Sequence, residues 1–321
     1  MILDRHDNGL SRRRTLRIVL AFACVYLCWG SAFVAIRYSV QTIHPAFVAG
    51  IRYLIAGGIL LSVLAVRGSS LKIGRRDLTR VTGLGLLMFT CNTLLLSYAG
   101  RQLPAGLTAL IIATIPLFMA VLEALLTRNT SPTLSSRIGI VLGFSGIALL
   151  LRQSVREGLP VQSATPAAIG LIVAAFAWAL GSVLLSRTQF QAPALVCTAW
   201  QMMIGGAIDV LVGLGTGGFQ SSHASKGPWL AVMFLAIFGT LAGYTAYTYL
   251  LRNVSISSVA TYAYINPLVA VVLGWLLLNE PLSFSQGVAV VIVLASVALV
   301  VSAPKTPAQG STPIAGQVLG K

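Results

Sequence analysis

Two long apolar stretches of this chain repeat each other at an offset of 151 residues. Four residues recur with the same spacing: Tyr98, Arg101, Pro116 and Leu117 return as Tyr249, Arg252, Pro267 and Leu268. A second set recurs at an offset of 148, where Pro45 and Gly57-Gly58 are matched by Pro193 and Gly205-Gly206. A chain that repeats itself in this way is expected to fold into two equivalent halves.

The amino-acid composition indicates that both halves lie in a membrane. Of the 321 residues, 56% are hydrophobic and 9% are charged, whereas soluble domains carry about 25% charged residues. The uncharged stretches are long enough for membrane-spanning helices, each of which needs roughly 20 apolar residues. A β-barrel would instead show short segments of alternating polarity, and the sequence lacks that pattern. We therefore predict an all-α membrane protein.

The apolar pattern predicts ten spans, at residues 16–38, 46–66, 79–99, 104–126, 133–151, 166–186, 193–214, 228–251, 256–278 and 283–303. Five fall in a first repeat (16–152) and five in a second (166–303). Because five is odd, the second repeat enters the membrane from the opposite side, as in the inverted repeats of secondary transporters. The repeats lie between a basic N-terminus (1–15) and a tail (304–321) that we expect to be disordered.

The basic residues predict an orientation. With the N-terminus in the cytoplasm, sixteen Lys and Arg residues fall on the cytoplasmic side and five on the other. This is the positive-inside bias, and it predicts that both termini are cytoplasmic. The net charge of +15 is thus a topology signal, and we expect no nucleic-acid partner.

The residues that carry a family resemblance are Trp29-Gly30-Ser31, Pro45, Arg52-Tyr53, 103–107, Pro116-Leu117, 178–182, Pro267 and Asn279-Glu280-Pro281. In these positions, spread over roughly 16–303, the chain resembles the EamA-type branch of the drug/metabolite transporter superfamily. The resemblance implies a ten-span inner-membrane exporter or facilitator of amino acids and similar small metabolites. The family's Gly-Glu pair after the fourth span is replaced by Arg128-Asn129, so the first-half glutamate is missing.

Three charged residues within predicted spans are functional candidates, because charge in hydrocarbon is costly. Arg52 would attract a substrate carboxylate, or it would be structural and pair with a neighbour or extend to the interface. Asp209 would pair with Arg52 or accept a proton, or it would be interfacial. Glu123 is a second proton-coupling candidate, and its alternative is a local ion pair with Arg128.

Aromatic and amide side chains supply the rest of the predicted substrate site. With Arg52, the set comprises Asn92, Trp178, Tyr244, Tyr262 and Asn266. We expect these residues to line a cavity formed by spans one, three, four, six, eight and nine, suited to an amphipathic metabolite. The alternative is a packed interior in which each polar tip is hydrogen-bonded across helices.

Pro116 and Pro267 lie at matching mid-span positions, where proline removes a backbone hydrogen bond and bends a helix. We predict that they are hinges of the transport motion; the alternative is a static kink. Gly139 and Gly143 have the spacing of a helix-dimer contact. They could pack against a second copy of the chain in a homodimer, and the alternative is packing within one chain.

The sequence has no phosphate-binding loop, metal-ligand cluster or Ser/His/Asp arrangement. We therefore predict no catalytic residues, no metal and no cofactor. The expected partners are a small-molecule metabolite, the lipid bilayer and protons. Two alternatives are a polytopic enzyme acting on lipid-linked substrates, which would show clustered acids or histidines, and a non-transporting scaffold, which would have no cavity.

Overall fold

A computed structural model describes residues 4–127, 134–156, 158, 160–222, 225–280 and 284–301. Every regular element in these ranges is helical. The α-helices are α1 (Asp4–Ser39), α2 (Pro45–Val66), α3 (Arg75–Gly85), α4 (Leu95–Gln102), α5 (Ala105–Ile112), α6 (Ile115–Thr127), α7 (Leu134–Arg156), α8 (Val161–Arg187), α9 (Ala194–Gly215), α10 (Gly218–Ser221), α11 (Lys226–Phe234), α12 (Gly243–Asn253), α13 (Ile256–Val259), α14 (Tyr262–Leu278) and α15 (Phe284–Val301). The predicted tail (304–321) and the Arg128-Asn129 loop lie outside the described residues.

Seven helical segments of the described chain are long and apolar enough to cross a membrane: Arg13–Ser39, Pro45–Val66, Arg75–Gln102, Ala105–Leu126, Val161–Arg187, Ala194–Gly215 and Lys226–Asn253. The other three predicted spans coincide with α7, with α13 and α14, and with α15. An all-α membrane protein is confirmed, and the count of ten spans stays a prediction.

The surface of the bundle is apolar, as a lipid-facing surface must be. Leu27, Leu125, Val141, Leu211 and Leu230 are each more than 60% exposed. Soluble monomers rarely expose contiguous apolar patches above a few hundred Å². This surface therefore fits the predicted lipid bilayer.

The two halves share irregularities that the apolar pattern did not predict. In each half the third span opens into a π-helical segment, π1 (Leu86–Leu94) between α3 and α4, and π2 (Leu235–Ala242) between α11 and α12. The fourth span of each half is broken, between α5 and α6 and between α13 and α14. Wider π-helical turns and breaks free backbone groups within a span, so both halves have irregular backbone in their third and fourth spans.

Helix packing is equivalent when the halves are exchanged. Equivalent helices pack in pairs, α2 against α9 and α7 against α15, and the contact of α1 with α14 is mirrored by that of α8 with α6. At the α2–α9 contact, a Cβ added to Gly50 would lie 2.7 Å from the Gly206 carbonyl oxygen, and one on Gly206 would lie 2.8 Å from the Gly50 oxygen. The two glycines let these backbones touch.

One end of the bundle is held by Arg37. Its Nη1 donates to the carbonyl oxygens of Gly100 and Arg101, both at 2.9 Å, and its Nε lies 3.8 Å from Glu280 Oε1. The Glu280 carboxylate also accepts the N–H of Ala105, at 2.9 and 3.0 Å, at the start of α5. These contacts join the C-terminal end of α1 to the α4–α5 connection and to the residues after α14.

The opposite end is held by Asp77. Its Oδ2 accepts the N–H groups of Gln191 and Ala192, at 2.8 and 2.9 Å, and Arg80 Nη1 donates to the Gln189 carbonyl at 2.7 Å. The α8–α9 connection therefore lies beside the start of α3. This separation of the connections into two ends agrees with the predicted alternation of spans; which end faces the cytoplasm stays a prediction.

One of the two glycines proposed for a dimer contact, Gly143, packs against other helices of the same chain. A Cβ on Gly143 would lie 2.7 Å from Leu117 Cδ1 and 2.8 Å from Ser296 Oγ. Gly143 therefore packs against α6 and α15, and the homodimer stays a prediction.

Candidate functional site

A cavity of about 80 Å³ lies between the two halves. All six predicted substrate-binding residues line it: Arg52 from α2, Asn92 from π1, Trp178 from α8, Tyr244 from α12, and Tyr262 and Asn266 from α14. Sites for small molecules measure roughly 300–1,000 Å³, so this cavity must widen to admit a metabolite. The predicted spans all contribute, and span two is added to them by Arg52 and Tyr53.

Sequence reasoning missed several lining residues, among them Trp29, Phe33, Tyr53, Phe89, Thr93 and Thr240. Two signals would have found some of them. Trp29 and Tyr53 belong to motifs that carry the family resemblance, and Thr93 adjoins Asn92 in the chain. Phe33 and Phe89 have no such signal, because one apolar residue in a span looks like any other until packing is known.

Trp29 is the centre of an aromatic cluster. Its ring centroid lies 5.3 Å from that of Trp178, 4.9 Å from Tyr247 and 5.1 Å from Tyr262. Its Nε1 donates to the Gly239 carbonyl of π2 at 2.9 Å. Tilted and edge-to-face rings at these distances stabilise one another. Trp29, Trp178 and Tyr262 line the cavity and can contact the apolar part of a ligand, whereas Tyr247 does not line it.

The aromatic wall continues towards α2. Tyr53 lies 4.5 Å from Phe89 between centroids, Phe89 lies 4.8 Å from Tyr244, and Tyr244 lies 6.2 Å from Trp178. Aromatic side chains therefore join the first-half side of the cavity to the second-half side.

Arg52 places a charge beside this wall. The residue is 6% exposed, its Nη2 donates to the Tyr53 hydroxyl at 3.0 Å, and its Cζ lies 4.7 Å from the Tyr53 ring centroid. Nε has no hydrogen-bond partner among the described residues. The expected pairing with Asp209 is not present, since both carboxylate oxygens of Asp209 also lack a partner in the described chain. Arg52 is a buried cation held by a neutral phenol, and an anionic ligand would complete its environment.

Asp209 lies close to this group on α9 without lining the cavity. Its side chain is fully buried, and it interacts electrostatically with Arg52 and Tyr53. The Thr90 hydroxyl also interacts with it, but a hydroxyl carries no countercharge. Burying a carboxylate without a countercharge is costly, so a group that neutralises it is expected. This position suits the predicted role in proton coupling, which no contact tests.

The amides make contacts across helices, as the packed-interior alternative expected. Asn92 Nδ2 donates to the Ala174 carbonyl of α8 at 2.9 Å. With its amide oriented to donate, Asn266 reaches the carbonyl oxygens of Tyr262 and Tyr26 at 3.3 and 3.2 Å. These bonds orient both amides, and the two residues still line the cavity.

Other polar tips at the cavity are left without partners. Trp178 Nε1 and the Tyr262 hydroxyl are buried, and neither makes a hydrogen bond within the described chain. The same holds for Thr240 Oγ1. Buried donors without partners are costly, so a ligand that accepts their hydrogen bonds would be favoured.

The remaining predicted residues lie outside the cavity lining. Glu123 is half-buried on α6, and its proposed partner Arg128 is outside the described residues. Pro116 is the second residue of α6, directly after the break, whereas Pro267 lies inside α14, five residues past its start. Their positions in the helices therefore differ, although both prolines are buried near lining residues.

Comparison with known proteins gives the same architecture. The model of the EamA-like transporter family matches residues 16–152 and 165–302. An inner membrane transporter of Escherichia coli K12, YedA, is 33% identical over 289 residues, which are 90% of this chain and 92% of YedA. The Bacillus subtilis transporter YvbV is 26% identical, over 88% of this chain and 91% of its own. A solved crystal structure, 17% identical, superposes with a TM-score of 0.64 over 88% of this chain and 95% of the other.

The family match confirms the resemblance seen in the dispersed motifs, and the names of these relatives indicate a transporter and not an enzyme. The chain belongs to the EamA-like transporter family and is a multi-pass membrane transporter built from two copies of the family's repeat.

Proposed function

We propose that this chain is an inner-membrane secondary transporter that exports amino acids or related small, carboxylate-bearing metabolites by alternating access. One observation carries the proposal: the cavity between the two repeats combines the incompletely bonded cation of Arg52 with an aromatic wall and hydrogen-bond donors that lack partners. The cavity also argues against a non-transporting scaffold, for which a bundle without a cavity is expected.

The substrate class follows from the chemistry of the lining. A carboxylate would accept charge-assisted hydrogen bonds from Arg52 and further bonds from Trp178 and Tyr262. The apolar part of the substrate would lie against Trp29 and Phe89, and an ammonium group would be attracted to the ring faces. Together these favour an amphipathic zwitterion or anion over a purely apolar drug.

Asp209 is our candidate for energy coupling. It is buried, lies beside the Thr90 hydroxyl and interacts electrostatically with Arg52 without forming an ion pair within the described chain. A proton taken up by Asp209 would remove its charge and change the field at Arg52, so proton movement and substrate binding would be linked. Facilitated diffusion is the alternative, in which Asp209 has no part in transport.

The test is a resistance screen in a sensitive bacterial host that overexpresses the chain and is challenged with amino acids, purines and toxic analogues. We expect protection against at least one carboxylate-bearing compound, and at least tenfold lower export by Arg52→Gln. The matched control is Trp200→Phe. Trp200 is the second-half equivalent of Arg52, and its Nε1 donates to the Leu71 carbonyl at 3.1 Å, away from the cavity. Equal export by Arg52→Gln and the parent, at equal membrane levels, would overturn the role of Arg52.

A further inference from the structure

A second cavity, of about 550 Å³, lies at the end of the molecule held by Asp77. Its lining is mostly polar and includes Ser186, Thr188, Gln189, Thr198, Gln201 and Arg252. Ser186, Gln189 and Arg252 are exposed, so the cavity opens to the outside at this end. We call this cavity the vestibule.

A hydrogen-bonded pair joins the lining of the vestibule to the lining of the central cavity. Tyr244 lines the central cavity and Gln201 lines the vestibule. The Tyr244 hydroxyl donates to Gln201 Oε1 at 2.8 Å and lies 3.7 Å from Met88 Sδ. Gln201 and Tyr244 are 1% and 2% exposed. The two cavities therefore adjoin at a buried, polar pair of side chains.

The equivalent two positions are also hydrogen-bonded to each other in the first half. At the offsets of 148 and 151 that relate the repeats, Gln201 corresponds to Tyr53 and Tyr244 corresponds to Thr93. The Tyr53 and Thr93 hydroxyls are also hydrogen-bonded to each other, and both residues line the central cavity. Each half thus ties its second span to its third at one equivalent place, with different side chains.

In the first half, residues equivalent to part of the vestibule lining are hydrogen-bonded to Arg37. Leu251 and Arg252 of the vestibule correspond to Gly100 and Arg101. The carbonyls of Gly100 and Arg101 both accept hydrogen bonds from Arg37 Nη1. The vestibule end is therefore open to the surroundings, whereas Arg37 bonds to the equivalent backbone at the other end.

We propose that the vestibule is the substrate's entry site, and that the Gln201–Tyr244 and Tyr53–Thr93 pairs are two gates that open alternately on opposite ends of the central cavity. This inference rests on the proposed function. An inverted repeat turns equivalent residues towards opposite ends. Rupture of Gln201–Tyr244 connects the cavity to the vestibule, and rupture of Tyr53–Thr93 connects it to the end that holds Arg37. The polar vestibule receives the hydrated carboxylate end of the substrate before the gate opens.

The experiment measures access to the central cavity and requires no substrate. Cys24, Cys28, Cys91 and Cys197 are replaced by alanine, and Thr240→Cys adds a reporter that lines the central cavity. The membrane-impermeant reagent 2-sulfonatoethyl methanethiosulfonate is applied to right-side-out and to inside-out vesicles. A separate Ser186→Cys reporter at the vestibule mouth identifies the vestibule side without assuming a topology.

Gln201→Ala and Tyr244→Phe should each raise the modification rate of the Thr240→Cys reporter from the vestibule side, by about three- to tenfold, as loss of one ordinary hydrogen bond predicts. Thr93→Val should raise it from the opposite side. The control is Tyr247→Phe, which removes a hydroxyl on the same helix that donates to Ser182 Oγ at 2.7 Å and lines neither cavity. Tyr247→Phe should leave both rates unchanged.

Unchanged rates in both Gln201→Ala and Tyr244→Phe, equal increases from both sides, or the same increase in Tyr247→Phe would overturn the gate. An increase from the vestibule side in Thr93→Val would overturn the symmetric pairing. Each variant is scored only if it purifies as a single species. If Gln201→Ala does not fold, the milder change Tyr244→Phe decides whether the gate proposal holds. Because labelling needs no transport, a failure of the gate proposal can be distinguished from a failure of the proposed function, which the Arg52→Gln screen tests.

Discussion

At the scale of single residues, the contacts of the charged side chains in the bundle interior cannot be read from the sequence around them. Arg52 and Asp209 look like an ion pair in sequence, yet the Arg52 guanidinium is held by Tyr53 and both Asp209 oxygens lack partners among the described residues. A buried pair that neutralised itself would have little left for a ligand. Unpaired, the two groups can respond to a carboxylate and to a proton.

His44 gives a prediction of pH dependence at this scale. It precedes α2 outside the spans, packs on Phe47 and Tyr98, and its backbone N–H bonds Ser222 Oγ at 3.0 Å. Burial first, and then the charge of Arg101, lower the pKa of His44 below its usual 6.5. The unfolded chain then binds the proton more tightly, so this contribution to stability is full above about pH 6.5 and is lost as the pH falls through the lowered folded value.

We therefore expect the thermal unfolding temperature of the purified protein to drop between about pH 7 and pH 5, and to drop less in His44→Gln, which cannot titrate there. Unfolding scans in detergent across this range provide the measurement. Parallel pH profiles for the two proteins would show that His44 is not the titrating group.

At the scale of elements, the two repeats place their irregularities at equivalent spans but build them differently. Pro116 lies at the start of α6, where a backbone N–H has no partner within the helix in any case. Pro267 lies inside α14, where it removes a hydrogen bond that alanine would restore. One sequence signal, a matched proline, therefore has two different structural consequences.

Pro267→Ala should consequently straighten α14 and slow transport several-fold without loss of folding, whereas Pro116→Ala should stay within about twofold of the parent. Counterflow of a substrate from the resistance screen in proteoliposomes measures the rates, and detergent unfolding scans verify the fold. Equal effects of the two substitutions would mean that the α5–α6 break depends on Pro116 as much as α14 depends on Pro267.

At the scale of the whole molecule, an approximate two-fold symmetry is broken at the two ends. The helix pairs are equivalent under exchange of the halves, but Arg37 joins Gly100 and Glu280 at one end and the other end opens into the vestibule. Two states related by exchange of these ends are what alternating access in an inverted repeat requires.

The predicted topology is tested with reporter fusions after Gly68, Gly217 and Lys321. Gly68 and Gly217 lie in connections at opposite ends of the bundle, with φ of 73° and 74°. We expect cytoplasmic signals at Gly68 and Lys321 and a periplasmic signal at Gly217, since an even number of spans returns the chain to its starting side. A periplasmic signal at Lys321 would refute the ten-span count.

Much of the site was predictable because polar groups in hydrocarbon are few. Arg52, Asn92 and Asn266 stand out in apolar spans, and all three line the cavity. Asp209 and Glu123 stand out equally and do not line it, because span membership does not say which way a side chain faces. The π-helical segments had no signal in the apolar pattern, since a helix with wider turns buries the same kinds of residues.

The sequence by itself determined the membrane class, the duplication and the family, because these follow from composition and repeated spacing, which need no knowledge of contacts. Only the tertiary structure decided that Arg52 and Asp209 are unpaired, that Trp29 is the centre of the aromatic wall, and that Gln201 and Tyr244 face two different cavities. The physical reason is that partners such as Trp29 and Gly239 lie 210 residues apart, so their meeting depends on how the two halves pack and not on any local pattern.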